Sequence, residues 1–169
     1  QPVVEHGPTA LQMFELPAMG SGLPTAPSLW LAGAGASAGW RRALVYGSMD
    51  AGLSYEMWAE LVGPSAMGTL SEDLAPAGAQ LWDRRNTLVL TVLNPFTSLE
   101  GRDEISVLAG VNLLWVDGEL IQFAQADLIA LGQWRLSQLL RGRFGTETET
   151  VHTAGAPAVL VSAASLAAL

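Results

Sequence analysis

Apolar segments in this chain are short, and Gly, Pro, Asn-Pro or Asp-Gly interrupts them about every ten residues. That rhythm leaves room for strands and tight turns but not for long amphipathic helices. It predicts a mainly β fold, an antiparallel sandwich or barrel of about nine strands with one short helix. Side-chain alternation supports it. From Leu53 to Val62, the residues Leu53, Tyr55, Met57, Ala59 and Leu61 fall on one face of a strand, with Ser54, Glu56, Trp58 and Glu60 on the other. From Thr87 to Leu93, Leu88, Leu90 and Val92 share a side, and the β-branched content suits a pleated surface.

Further strands are expected at Ala10–Leu16, Ser28–Gly33, Trp40–Tyr46, Leu113–Val116, Glu119–Ala126, Gln133–Leu140 and Ala158–Ser162. Val116-Asp117-Gly118-Glu119 signals a hairpin, because Asp-Gly readily takes the two positive-φ positions of a type I′ turn. A second hairpin joins Glu119–Ala126 to Gln133–Leu140 through a loop containing Gly132. Arg102 to Ala109 reads as the short helix, with Asp103 and Glu104 early and Gly110 placed to end it. Met19–Pro27 and Gly142–Gly155 read as irregular loops. No repeat of 20 to 50 residues is visible.

Half the residues are apolar and 14% are charged, which excludes disorder for the chain as a whole. The 169 residues are expected to form a single β-rich domain, cut from a larger polypeptide, with 1–9 and 163–169 as flexible ends. No apolar run reaches the roughly 18 residues that a membrane-spanning helix needs. The 16 acids outnumber the 8 bases, all of them arginine, for a net charge of -8, so nucleic acid is not an expected partner. Without cysteine there is no disulfide, thiolate nucleophile or Cys-ligated metal.

Leu29 to Ala38 contains Gly33-Ala34-Gly35-Ala36-Ser37-Ala38, the G-x-G-x-x-A form of a dinucleotide-binding turn. That turn needs a following helix whose N-terminus meets the pyrophosphate. The next segment, Trp40 to Tyr46, is too short for one, so a Gly/Ala turn between strands is the reading and no cofactor is expected. His6 and His152 lack metal-pair spacing and read as loop residues. No serine sits in a G-x-S-x-G elbow, and the scattered acids show no paired arrangement that would mark glycoside hydrolysis. No catalytic or metal site is read, and the chain is not expected to be an enzyme.

Six tryptophans, Trp30, Trp40, Trp58, Trp82, Trp115 and Trp134, are a high count, and core packing accounts for most of them. Trp58 is the exception. It shares its strand face with Ser54, Glu56 and Glu60, which marks it as a candidate interface or ligand contact. The other distinctive stretch runs from Trp134 to Glu147. In it Arg141, Gly142, Arg143, Gly145, Thr146 and Glu147 read as a structural motif: glycines three apart make a tight reversal, and Arg141 or Arg143 bridges to Glu147 or to loop carbonyls. A basic anion-binding nest is the functional alternative.

Asn112 to Phe123, NLLWVDGELIQF, followed by WRLSQLLRGRFGTE at Trp134–Glu147 and HTAGA at His152–Ala156, resembles the C-terminal part of the large tail-tip protein of gene transfer agents and related siphophages. Leu108-Ala109-Gly110-Val111-Asn112 matches that family's LAGAN-like element. The resemblance is specific over Gly78 to Val161 and reduces to strand rhythm over Leu11 to Thr69. Gln138 and Phe144 stand where the family usually has arginine, which weakens the anion-nest alternative. The resemblance implies a baseplate-hub or host-specificity component of a virion or virion-like tail tip, assembled in the bacterial cytoplasm as a homotrimer with other tail proteins. A carbohydrate-binding module contacting host surface glycans is the alternative. The glycosidase-like TIM barrel found elsewhere in the full-length family proteins has no counterpart here, so no hydrolytic activity transfers.

Overall fold

The computed structural model describes residues 7–20, 24–79 and 81–169. Strands hold 45% of the residues and helix 5%, against about 20–25% strand in an average globular protein, so the chain is mainly β as its rhythm predicts. The described residues group into two compact units, one formed by those up to Ser65 with 162–169, the other by those within Ala66–Val161.

The first unit holds a three-stranded sheet of β1 (Thr9–Leu16), β2 (Ser28–Gly35) and β12 (Leu166–Ala168), in the order β1-β2-β12. A hairpin of β3 (Ala43–Gly47) and β4 (Glu56–Leu61) supplies a second sheet. Leu31, Trp40, Ala59 and Leu61 form its buried core. The Gly33-Ala34-Gly35 run lies inside β2 rather than in a turn. A Cβ on Gly33 would come within 2.4 Å of the Leu61 side chain, and one on Gly35 within 2.8 Å of the Trp40 ring. These glycines make room for core side chains.

The long alternation from Leu53 to Val62 does not become one strand. Only Glu56–Leu61 pairs, and the register slips at Trp58, where Ala59 faces Val45 but Met57 faces Tyr46. This bulge inverts the faces on either side of it. Ala59 and Leu61 are buried, whereas Met57, Tyr55 and Leu53 are exposed. The tail 163–169, read as a flexible end because of its alanines, supplies β12, with Leu166 buried opposite Ala32.

The second unit is a closed antiparallel barrel. Its strands are β5 (Met67–Leu70), β7 (Leu88–Val92), β8 (Leu113–Val116), β9 (Glu119–Ala130), β10 (Gln133–Leu140) and β11 (Pro157–Leu160), with the two-residue β6 (Trp82–Asp83) pairing with the last two residues of β10. The order runs β10-β7-β5-β11-β8-β9, and β9 pairs back onto β10 to close the ring. Six strands enclose a lumen only as wide as its own side chains. Leu88, Leu90, Val92, Leu114, Val116, Ile121, Phe123, Trp134 and Leu136 fill it. Closure also removes the free sheet edges that would otherwise recruit other chains.

Both expected hairpins are present. Asp117 and Gly118 have φ of 43° and 98°, the signs of a type I′ turn, and Val116 pairs with Glu119 across it. The second is tighter and longer than expected, because β9 runs on to Ala130 and pairs with Gln133 around Leu131-Gly132. The helix, α1, covers Glu104–Leu108. It starts later than expected because the Asp103 carboxylate caps it, accepting from the Ser106 amide, while the Arg102 amide donates to the Ala124 carbonyl on β9.

Sequence patterning misses β5, β6 and β12. In β5 the reason is Gly68, a poor strand former. A Cβ there would sit 2.0 Å from the Thr91 carbonyl oxygen on β7. Gly68→Ala is therefore expected to force β5 and β7 apart, lowering stability by about 1–3 kcal/mol or more. Gly118→Ala meets open space and should cost only about 1 kcal/mol, through its positive φ. Urea midpoints that rank the two variants the other way would contradict barrel closure at this pair.

Candidate functional site: a buried ion cluster

The barrel places its most polar residues in its most buried region. Arg141, just beyond β10, is fully buried, and Glu119, the first residue of β9, is 2% exposed. The β9–β10 register brings them together: Leu140 lies opposite Gln122, so the start of β9 meets the chain leaving β10. Arg141 grips Glu119 with two parallel hydrogen bonds, Nε to Oε1 and Nη2 to Oε2, both 2.9 Å. The Gly142 amide donates to Oε1 at 2.8 Å, and His152 Nε2 lies 2.7 Å from Oε2. With the carboxylate ionised, that imidazole nitrogen carries the proton and donates it. Each Glu119 oxygen thus accepts two hydrogen bonds.

The third nitrogen of Arg141, Nη1, donates to the Ala75 carbonyl at 2.8 Å and lies 3.5 Å from Asp83 Oδ2 on β6. Asp83 also accepts from the Arg85 and Asn86 amides and from the Asn86 side chain. His152 is fixed independently by two backbone hydrogen bonds with Leu74. One guanidinium therefore ties together β6, β9, the end of β10 and two long surface segments, 71–79 and 141–156.

Burial alone pushes the Glu119 carboxyl up and is the largest single influence on it. Hydrogen bonds from His152 and Arg141, the Arg141 charge and the Gly142 amide together outweigh burial and hold the group below its ordinary 4.5. Asp83 follows the same pattern: burial raises it, while the Asn86 and Arg85 donors and the Arg141 charge lower it further. Both carboxylates are therefore charged in the folded protein at neutral pH.

Around this centre the rest of the motif forms a braced turn. Gly142 adopts the left-handed region, φ 55°, and a Cβ there would lie 2.6 Å from Glu147 Cβ and 3.0 Å from that of Ala79. Arg143 Nε donates to Gln122 Oε1 at 2.8 Å, and Gln122 uses its amide NH2 to hold the Val107 and Val111 carbonyls around the end of α1. Phe144 and Gly145 also have positive φ, at 59° and 77°. Thr146 Oγ1 donates to the Arg143 carbonyl and accepts from the Leu120 amide.

The motif read from the sequence thus sits at the cluster, with different partners. Arg141 bonds to Glu119 and to the Ala75 carbonyl of a separate segment, not to Glu147 or to its own loop. Glu147 contributes its backbone and Cβ against Gly142, and it lines shallow recesses with Ala79 and Gly142. His152, read as a loop residue, is buried; His6 lies outside the described residues. Sequence reasoning passed over Glu119 and Asp83. For Glu119 the signal was local, an acid opening the apolar run Glu119-Leu120-Ile121-Gln122-Phe123 and matching the base that closes Leu139-Leu140-Arg141; Asp83 had none. Trp58 sits elsewhere, in the first unit, half-buried with its ring across Gly47, where a Cβ would lie 2.1 Å from the indole.

A carboxylate, an imidazole and a guanidinium in contact could serve acid–base chemistry if substrate reached them. Here the acceptor positions of Glu119 are filled by the protein and all the participants are buried, so the geometry holds segments in place. No group of acids and histidines among the described residues has the arrangement of a metal site. The fold and site define a small closed β-barrel domain stapled by a buried ion cluster. The chain belongs to the Rcc01698-like, C-terminal family, whose model matches residues 65–159, more than half the chain and nearly the whole barrel unit. That family is associated with gene transfer agents. No curated protein matches the chain.

Removing Glu119 leaves a buried arginine short of its main counter-charge. Glu119→Gln is expected to cost about 3–5 kcal/mol, and Glu119→Leu with Arg141→Met distinctly less than either single change. Denaturant melts of Glu119→Gln, of Glu119→Leu and Arg141→Met singly, and of the double variant check this; a double variant less stable than both of its singles contradicts it. Because Glu119 has a lower pKa folded than unfolded, its stabilisation is present above about 4.5 and is lost as pH falls through the folded value. Stability is expected to hold between pH 7 and 5 and to decline below about 4.5, with a shallower decline in the double variant.

Proposed function

We propose that this chain is a structural component of the tail tip or baseplate hub of a phage-like particle, acting through protein packing rather than catalysis. The observation that carries the reading is the coincidence of the family match with the barrel unit, together with a motif whose chemistry is spent on bracing that barrel. A part that transmits load within an assembly benefits from a closed sheet and cross-linked surface segments, since neither opens without breaking buried ion pairs. In the assembled tail the domain contacts other tail or baseplate proteins and sits as a homotrimer around the tail axis, in a particle put together in the bacterial cytoplasm.

Gold labelling of an epitope-tagged chain in purified particles is the direct test. Label confined to one tail end is expected, and absence of the chain from purified particles would remove the proposal. The Glu119→Gln variant is expected to give fewer complete tails at the same expression level.

Glycan contact at Trp58 is a second reading with one observation behind it: a recess of about 480 Å³ lined by Glu56, Met57, Trp58 and Leu169. An aromatic face beside a carboxylate suits a sugar ring. Binding of capsule or lipopolysaccharide sugars that disappears in Trp58→Ala would favour it, and no binding across such sugars would count against it.

A further inference from the structure

The β3–β4 hairpin exposes apolar side chains that a small domain ordinarily hides. On its outer face Tyr46 lies directly opposite Met57, with Leu44 two residues along the strand, and all three are exposed. The connecting loop carries Met49 and Leu53 at 85% and 90% exposure, beside exposed Tyr55.

Single exposed apolar residues on a loose loop would mean little. This loop is framed. Asp50 Oδ1 accepts from the Ser48 hydroxyl and the Ser54 amide, and Oδ2 from the Ser54 hydroxyl, at 2.6 to 2.9 Å. Ser48 Oγ in turn accepts from the Gly52 amide at 2.8 Å, and Ala51 and Gly52 both take positive φ. The frame fixes the backbone that carries these two exposed side chains, so burying them against something else requires ordering the side chains but not the loop.

Charge narrows what that is. Asp50 and Glu56 both lie at this end of the hairpin, and among the described residues no basic side chain pairs with either, whereas Arg42 bridges to Glu60 farther along. The Ser48 and Ser54 hydrogen bonds lower Asp50 to about 2, so it stays charged throughout the neutral range. A second copy docked loop to loop would set Asp50 and Glu56 against the same two acids, and an anionic membrane surface would be repelled in the same way. We propose that the β3–β4 loop is a docking knob for a partner protein with an apolar pocket for Met49 and Leu53 and lysine or arginine on the pocket's rim.

Photo-crosslinking in producing cells tests this on the full chain. A photoreactive side chain at position 53, and separately at 49, is expected to join one polypeptide other than this chain, at a peptide bearing Lys or Arg. The same group at Ile105, exposed on the other unit, is expected to join it at about a tenth of the yield or less. Glu56→Lys leaves the loop frame untouched and is expected to cut the yield at position 53 about tenfold, with an unchanged circular dichroism spectrum. Adducts with a second copy or with lipid, equal yields from 53 and 105, or no adducts at all would overturn the knob. Its fate is separable from that of the tail assignment. A basic partner foreign to the particle leaves the knob standing and removes the assignment, whereas chain present in particles but silent at position 53 removes only the knob.

Discussion

The Arg141–Glu119 pair is the constraint on which the segments around the barrel depend. A guanidinium and a carboxylate fully withdrawn from water each carry a desolvation penalty of several kcal/mol, and their attraction offsets it only when the geometry is good and the remaining donors and acceptors are filled. Here they are filled, by Gly142 and His152 on the carboxylate and by Ala75 and Asp83 on the guanidinium. The net gain in stability of such a cluster is modest. What it supplies is specificity: Gly142 must be left-handed for its amide to reach Glu119, and segment 71–79 must pass where the Ala75 carbonyl meets Nη1.

This explains why a barrel with an apolar lumen tolerates an ion cluster beside it. The six strands hold themselves by ladder hydrogen bonds and by Leu88, Leu90, Ile121, Phe123 and their neighbours. The long segments 71–79 and 141–156 have little regular structure and would otherwise open easily. Directional, fully paired polar contacts give them one conformation, and Gln122 extends the same bracing to α1 by holding the Val107 and Val111 carbonyls.

The two units handle exposed sheet surface in opposite ways. The barrel closes on itself and leaves few edges. The first unit has small open sheets, a bulge at Trp58 and a loop that holds Met49 and Leu53 outward. The family match falls on the barrel, the unit that the ion cluster braces.

By itself the sequence determined the class of fold, because turn residues at short intervals and period-two alternation are local signals. It also determined both hairpins, since Asp117-Gly118 and Gly132 dictate backbone signs that few other residues adopt. The motif from Arg141 to Glu147 was visible as a structural turn for the same reason. Its partners were not, because Glu119, Asp83, Ala75 and His152 lie up to 66 residues from Arg141 in the chain, and only tertiary packing brings them to the cluster. Tertiary packing alone decided β5, β6 and β12, whose residues have weak strand preference and pair because a neighbour offers an edge. It also decided the Trp58 bulge, which no periodicity announces: one extra residue in the ladder turned Met57 outward while Ala59 and Leu61 stayed in the core.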